Sequence, residues 1–302
     1  MVTKFSELVY QFTAWASHTK APSTLAQYQH FYRAWLREMG DTNLSDLTPA
    51  LLMRFGSTWH RAQAIKRLLS WGVNEACLLS DNPIAKVRLP KKGSRKRILS
   101  RHERVRFLRS CKPDLRSLLI ALYESAARPQ EMRLAEWEDL VADLPGDDLH
   151  AALARGRASI VLWEFKDQAR RISEDKPRVI LLSPRLCRLL SRLLKRTHKA
   201  TGRIFRTARG RGFSANALRC RFRRLRKKLS VERDKRGETV VPYTLRHTAA
   251  TAAAAAGVRD RLLADVLGHV ETRTTARYCH LQVDHLREAM QSVWEPCKRQ
   301  QR

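Results

Sequence analysis

Six side chains of types that do chemistry stand in three short segments. The segment Ser125 to Leu140 (SAARPQEMRLAEWEDL) places Arg128 where one helix is expected to end, with Pro129 at the first position of the next. Glu131, one turn on, is spaced to hold the Arg128 guanidinium. Pro242 to Gly257 (PYTLRHTAATAAAAAG) puts Arg246 and His247 at the start of a helix of very small residues, which lets other backbone approach closely. In Leu262 to Leu281, Gly268–His269 closes a helix and Tyr278 follows nine residues later. A guanidinium is a planar fork matched to paired phosphate oxygens. A phenol has an ordinary pKa near 10 and becomes a nucleophile once its proton leaves. Taken singly, each residue also has a plain reading: the arginines as surface charges, His269 as a cation at a helix end, His247 as a hydrogen-bonded core histidine.

Charge says what such a set would work on. The 302 residues hold 59 Lys and Arg against 29 Asp and Glu, a formal charge of +30, with an isoelectric point near 10.9. A compact chain with that excess repels itself unless a polyanion lies against it. Nucleic acid is the first expectation and an anionic membrane the second, but no apolar run approaches the roughly 20 residues of a spanning helix. The opening MVTKFSELVYQF has no signal-peptide pattern. The six cysteines are scattered without a C-x-x-C pair, so free thiols in a reducing compartment are expected, with neither a disulfide frame nor a metal site. These features predict a soluble cytoplasmic, nucleoid-associated protein.

The elements that must position these residues fall into two parts. Residues 1–90 carry 10 Lys and Arg against 6 Asp and Glu, and the rest 49 against 23. The break is the stretch LPKKGSRKR, so the expected organisation is a helical domain over 1–88, a basic linker over 89–97 and a second domain over 98–302 with a C-terminal tail helix. In the first part Phe5, Leu8, Val9, Phe12 and Trp15 repeat at helical spacing. Further helices are expected from Pro22 to Gly40, after Thr48–Pro49, and along Trp59, Ala62, Ile65, Leu68, Leu69 and Trp71, a bundle whose aromatics read as core.

Beyond the linker, Ser100, Ser183 and Ser214 are expected helix caps, and Leu115, Leu118, Leu119 and Leu122 mark another helix. Ser159–Phe165 and Arg178–Leu182 read as two strands of a hairpin around a polar turn. From Arg203 to Arg236 there are fourteen Lys and Arg and two acidic residues. The helix after Ser214 has Leu218, Phe222, Leu225 and Leu229 on one face and Arg219, Arg221, Arg223, Arg224, Arg226, Lys227 and Lys228 on the other, a pattern that suits tracking phosphates.

Together the three segments resemble the tyrosine recombinase (phage integrase) family. Its first box, Arg, then Glu, then Trp-x-Asp, is matched by Arg128, Glu131, Trp137 and Asp139, with Ala135 where leucine is usual. The second, L-R-H-T-x-A-T, is matched by Leu245 to Thr251, and the third by Leu267, Gly268, His269, Thr275, Tyr278 and His280. The resemblance implies a mainly α fold with a small β-hairpin or sheet: an all-helical, SAM-like core-binding domain, then a mixed α/β catalytic domain. It also implies the roles. Arg128 and Arg246 neutralise the scissile phosphate, Tyr278 attacks it to give a 3′-phosphotyrosine, and His269 donates to the phosphate. Lys166, with Lys176 as runner-up, protonates the leaving 5′-oxygen. No cofactor, metal or ATP enters. Tyr243, three residues before Arg246, departs from the usual His or Lys; a phenol there hydrogen-bonds but is a poor proton acceptor near neutral pH.

The partners so implied are double-stranded DNA and three further copies of the chain, a tetramer on two DNA sites, with accessory DNA-bending proteins left open. Lys91, Lys92 and Arg95 of the linker, and Arg219, Arg223, Arg226 and Lys227 of the basic helix, are the expected DNA contacts. The tail, with Val283, Leu286, Met290, Val293 and Trp294, is placed equally well on a neighbouring protomer or on its own domain. Two other readings stand beside a recombinase. One is a weak or inactive DNA-binding relative, which Tyr243 favours; the other is a type IB topoisomerase-like enzyme, which would relax a supercoiled plasmid lacking any target. A metal-dependent transposase is disfavoured because no carboxylate set has ligand spacing. The excess positive charge leans toward a mobile element over a chromosome-dimer resolvase.

Overall fold

The computed structural model describes residues 4–56, 58–89, 97–163, 177–197, 200–231, 233–235, 237–256, 258–268, 287, 290–291 and 293–294. The chain divides into two compact units, residues 1–94 and 95–302.

Unit one is helical throughout its described elements: α1 (Phe5–Thr19), α2 (Pro22–Met39), α3 (Pro49–Phe55) and α4 (Trp59–Asn74). Punctuation in the sequence sets the ends. Pro22 and Pro49 occupy first-turn positions where a missing N–H costs nothing. Thr48 caps α3 by accepting from the Leu51 N–H, and Gly40 ends α2 at φ 78°. The aromatics form the core as expected. Phe5, Phe12, Tyr32, Trp35 and Phe55 are buried, and Phe12 meets Tyr32 and Trp71 edge to face at 5.7 and 5.3 Å between ring centres. Each such side chain contributes about 2 kcal/mol by leaving water.

Unit two is built on α5 (Arg101–Ser110), α6 (Pro113–Ser125), α7 (Pro129–Leu134), β1 (Leu140–Ala142), α8 (Leu149–Arg155), β2 (Ala158–Leu162), β3 (Arg178–Leu181), α9 (Pro184–Arg196), α10 (Ala215–Lys228), α11 (Pro242–Ala255) and α12 (Asp260–Leu267). Ser100, Ser183 and Ser214 cap α5, α9 and α10 as expected, each accepting an N–H three residues on. The strands form an antiparallel sheet in the order β1-β2-β3. Leu140, Ile160 and Ile180 are in register and share the face turned to the main core, beside Leu118, Leu122, Leu186 and Leu190. Leu181, on the other face, packs with Ala253, Val258, Val266 and Met290. The fold is therefore mainly α with one small sheet, as the resemblance implied.

The first hairpin strand ends earlier than expected. Trp163 is outside β2 and 60% exposed; the pairing of β2 with β3 ends at Leu162↔Arg178, so strand-forming residues beyond that register have no described partner. Residues 164–176, which include the expected turn, lie outside the described residues.

The described tail residues pack on the unit that carries them. Arg287 donates through Nη1 to the Gly156 and Leu182 carbonyls and pairs through Nη2 with Asp143. Trp294 Nε1 donates to the Glu124 carbonyl at 3.1 Å. Val283 and Leu286 of the tail lie outside the described residues.

Candidate functional site

Arg128 is the last of the three residues between α6 and α7. The chain leaves α6 through Ala126, which is left-handed at φ 51°, and Pro129 starts α7 at once. Glu131 does what its spacing predicts. One carboxylate oxygen accepts the Arg128 backbone N–H at 2.8 Å, and the other accepts Nη1 at 2.6 Å. Both side chains are largely buried, so the ion pair fixes the guanidinium more firmly than a surface pair would. Trp137 is buried in the core, and Asp139 accepts the Glu136 N–H at 2.8 Å, turning the chain into β1. Ala135, the position where the family has leucine, is wholly buried.

Arg246 is brought to the same place by α11, whose small residues let it lie along α6. Ala249 of α11 packs in one cluster with Ala126 and Leu267. Arg246 is 2% exposed. Its Nη1 donates to the Ala126 carbonyl at 2.8 Å and its Nη2 to the Leu267 carbonyl at 2.7 Å. Burial holds this guanidinium below the ordinary arginine value, and Arg128 pushes the same way; Tyr243, which hydrogen-bonds it, and Glu131 push it back up. The Tyr243 ring stands 5.9 Å from Arg246 Cζ and edge to face with His247 at 4.8 Å.

The two arginines converge on the end of α12. Arg128 Nη2 donates to the Gly268 carbonyl at 2.9 Å, next in sequence to the Leu267 carbonyl that Arg246 holds. A helix leaves its last four carbonyls without intrahelical donors and carries partial negative charge there, so this end is a natural seat for cations. Gly268 terminates the helix in the left-handed conformation, as expected.

A third arginine, passed over in the sequence, completes the arrangement. Arg178 at the head of β3 is 2% exposed. It donates to the Asp265 carbonyl at 3.2 Å and to the Val266 carbonyl at 2.7 Å, and its Nε lies 3.8 Å from Glu131 Oε1. Four successive carbonyls, 265 to 268, are thus held by three guanidiniums. The only signal in the sequence was an arginine opening an otherwise apolar strand.

On α10, Leu218, Phe222 and Leu225 face the core, and Arg219, Arg223, Arg224 and Lys227 are exposed. Arg226 is half-buried and donates to the Val240 carbonyl at 3.1 Å; with Arg223, Lys227, Ser230 and Val231 it lines a recess of about 430 Å³. Arg221 is taken by Asp114, 2.6 Å away. Of the other expected site residues, Lys91, Lys92, Arg95, Lys166 with its runner-up Lys176, His269 and Tyr278 lie outside the described residues. Among the described residues no helix is long and apolar enough to cross a membrane, and Cys77, Cys111, Cys187 and Cys220 are free thiols.

Fold and site together define a class: a mainly helical, two-unit protein whose larger unit turns one buried and one largely buried guanidinium onto one helix end and carries a helix face of exposed cations. The chain belongs to the phage integrase family, the tyrosine recombinases, whose family model matches residues 96–285, well over half of it. It is 24% identical over 289 residues to tyrosine recombinase XerD of Lacticaseibacillus casei, covering 91% of this chain and 85% of that one. Its fold is similar to that of a lambda integrase dimer bound to a COC′ core site, with a TM-score of 0.68 at 17% identity, over 99% of this chain and 79% of that one. A lambda integrase tetramer bound to a Holliday junction matches with the same TM-score and identity, over 90% of this chain and 80% of that one. Family membership and fold support site-specific DNA recombination.

Proposed function

We propose that the protein cuts and rejoins duplex DNA at specific sites through a phosphotyrosine intermediate, with neither metal nor ATP. One observation carries the reading furthest: Arg128 and Arg246, distant in sequence, aim their guanidiniums at adjacent carbonyls just before His269. Arginines placed so closely cancel the negative charge shared by the two non-bridging oxygens of a phosphodiester, which removes the main barrier to attack by another anion. Tyr278 Oη bonds to phosphorus as the bond to the 5′-oxygen breaks. The phenol gives up its proton to water, Lys166 supplies one to the leaving oxygen, and His269 donates to the phosphate. The ester keeps the bond energy, so a 5′-hydroxyl attacks it in the reverse sense to rejoin the strand. Lys91, Lys92, Arg95, Arg219, Arg223, Arg226 and Lys227 hold the backbone. Four protomers on two DNA sites exchange strands in pairs, a reading supported by the tetramer on a Holliday junction among the similar structures.

The test is a covalent trap. The full chain is incubated with a pool of nicked duplexes of randomised sequence, denatured in detergent, and the DNA left on the protein is sequenced. A recombinase enriches one sequence family in the covalent fraction. Tyr278→Phe abolishes the adduct and keeps equilibrium binding to the enriched duplex. A second reading, a DNA-binding relative that no longer cuts, draws on Tyr243; it requires specific binding with no adduct from the unaltered chain.

A further inference from the structure

A buried arginine costs several kcal/mol unless its donors are met, and unit two keeps one at Arg178. Its partners make it more than a core cation. The fork reaches the Asp265 and Val266 carbonyls of α12, and the Val179 carbonyl at 3.0 Å on its own strand. Its Nε faces Glu131 Oε1, the same oxygen that holds Arg128 Nη1. Gly268 follows directly: a Cβ there would lie 2.7 Å from Arg178 Nε, so the turn after α12 is moulded on this side chain. One guanidinium therefore joins three parts of the site that are far apart in sequence. These are the Arg128–Glu131 pair of the first box, the α12 end that precedes His269, and the strand that follows the segment carrying Lys166.

We infer that Arg178 is a positioning residue for strand cutting: it clamps the last turn of α12 to the Glu131 carboxylate and so fixes where Arg128 and the turn toward His269 stand. The inference rests on the recombinase reading and adds a residue to it. Arg178 is turned inward onto protein carbonyls and a carboxylate, so its removal acts on the rate of cutting and not on the grip on DNA. A lysine in its place keeps the charge but offers one ammonium where the fork spans two carbonyls and a carboxylate. Displacing reacting groups by about 1 Å costs about a hundredfold in rate.

The test compares Arg178→Lys with the unaltered full chain on the duplex enriched by the covalent trap. Single-turnover adduct formation is expected to fall about a hundredfold while the equilibrium dissociation constant stays within about twofold. Arg178→Gln, which keeps one amide donor, carries the comparison if the lysine variant does not fold. Cutting at the unaltered rate, or a loss that merely follows weaker binding, overturns the inference. Amide hydrogen exchange of the DNA-free chain separates it from the recombinase reading. Exchange in Arg178→Lys is expected to quicken at the end of α12 while α6 and α9 keep their protection; unchanged or uniformly quickened exchange also overturns it. If the unaltered chain forms no adduct, the recombinase reading fails by itself, and the exchange result decides whether Arg178 clamps α12.

Discussion

Arg178 and Gly268 fit each other with no room to spare. A Cβ on Gly268 would stand 2.7, 2.8 and 2.9 Å from Nε, Cζ and Cδ of Arg178, and the glycine has φ +64°. Two costs therefore add on substitution: the left-handed backbone, about 1 kcal/mol for alanine, and the displacement of a buried guanidinium. Gly146 separates them. It has φ +82°, but a Cβ placed on it would meet nothing within 4 Å, so Gly146→Ala carries the backbone cost alone. Gly268→Ala is expected to cost about 2 kcal/mol or more and Gly146→Ala about 1. Thermal unfolding of the two variants checks this, and equal shifts would mean that Arg178 exerts no pressure on the turn.

The face of α10 divides its arginines into two kinds. Arg219 and Arg223 are exposed, whereas Arg221 is committed to Asp114. Each exposed cation that meets a phosphate releases counterions on binding. Arg219→Ala and Arg223→Ala are each expected to flatten the slope of log affinity against log salt by about 0.9 and to leave the melting temperature unchanged. Arg221→Ala is expected to lower the melting temperature with little change in that slope. A salt titration of binding to a fluorescent duplex, beside a melt of each variant, reads both effects.

Asp114 gives that same contact a pH dependence. Burial pushes its carboxyl up, but Arg221 and the N–H groups of Leu115 and Ala208 together hold it below the ordinary value. A depressed carboxyl contributes stability that is complete above the unfolded pKa, about 3.9, and is lost as pH falls below it through the folded value. Asp114→Asn is therefore expected to cost about 2 kcal/mol at pH 7. The gap between variant and parent should close as the pH is lowered below about 4. Melting curves from neutral pH to the acid transition test the sign, since a gap that widens in acid contradicts it.

Much of this was legible in the sequence because it is local. Caps at Ser100, Ser183 and Ser214 and the leucine spacing of α6 located helices, and Arg128 with Glu131 three residues on announced an ion pair. What escaped is short or distant. β1 has three residues and α8 seven, too few for a periodic signal. Arg178 and Arg287 looked like two more charges in a basic chain. Their partners are backbone carbonyls about a hundred residues away, which no pattern of side chains reveals.

Tyr243 is where the site departs from its family and where the chemistry is most open to measurement. Its hydroxyl hydrogen-bonds Arg246 and its ring packs edge to face with His247. The phenol thus orients a guanidinium that the proposed reaction needs. Tyr243→Phe keeps the ring packing and removes the hydroxyl, so adduct formation is expected to fall about tenfold with DNA affinity held. Tyr243→His supplies an imidazole with an ordinary pKa near 6.5. As a proton acceptor it works only when neutral, so cutting by this variant is expected to rise with pH through about 6 to 7, a limb the parent lacks. General-base assistance contributes about a hundredfold or more where the geometry serves, so above that limb Tyr243→His is expected to match or exceed the parent. Single-turnover rates of the three proteins between about pH 5.5 and 8.5, a span that brackets the imidazole pKa, decide the matter. Identical profiles for the parent and the histidine variant would show that this position orients Arg246 and moves no proton.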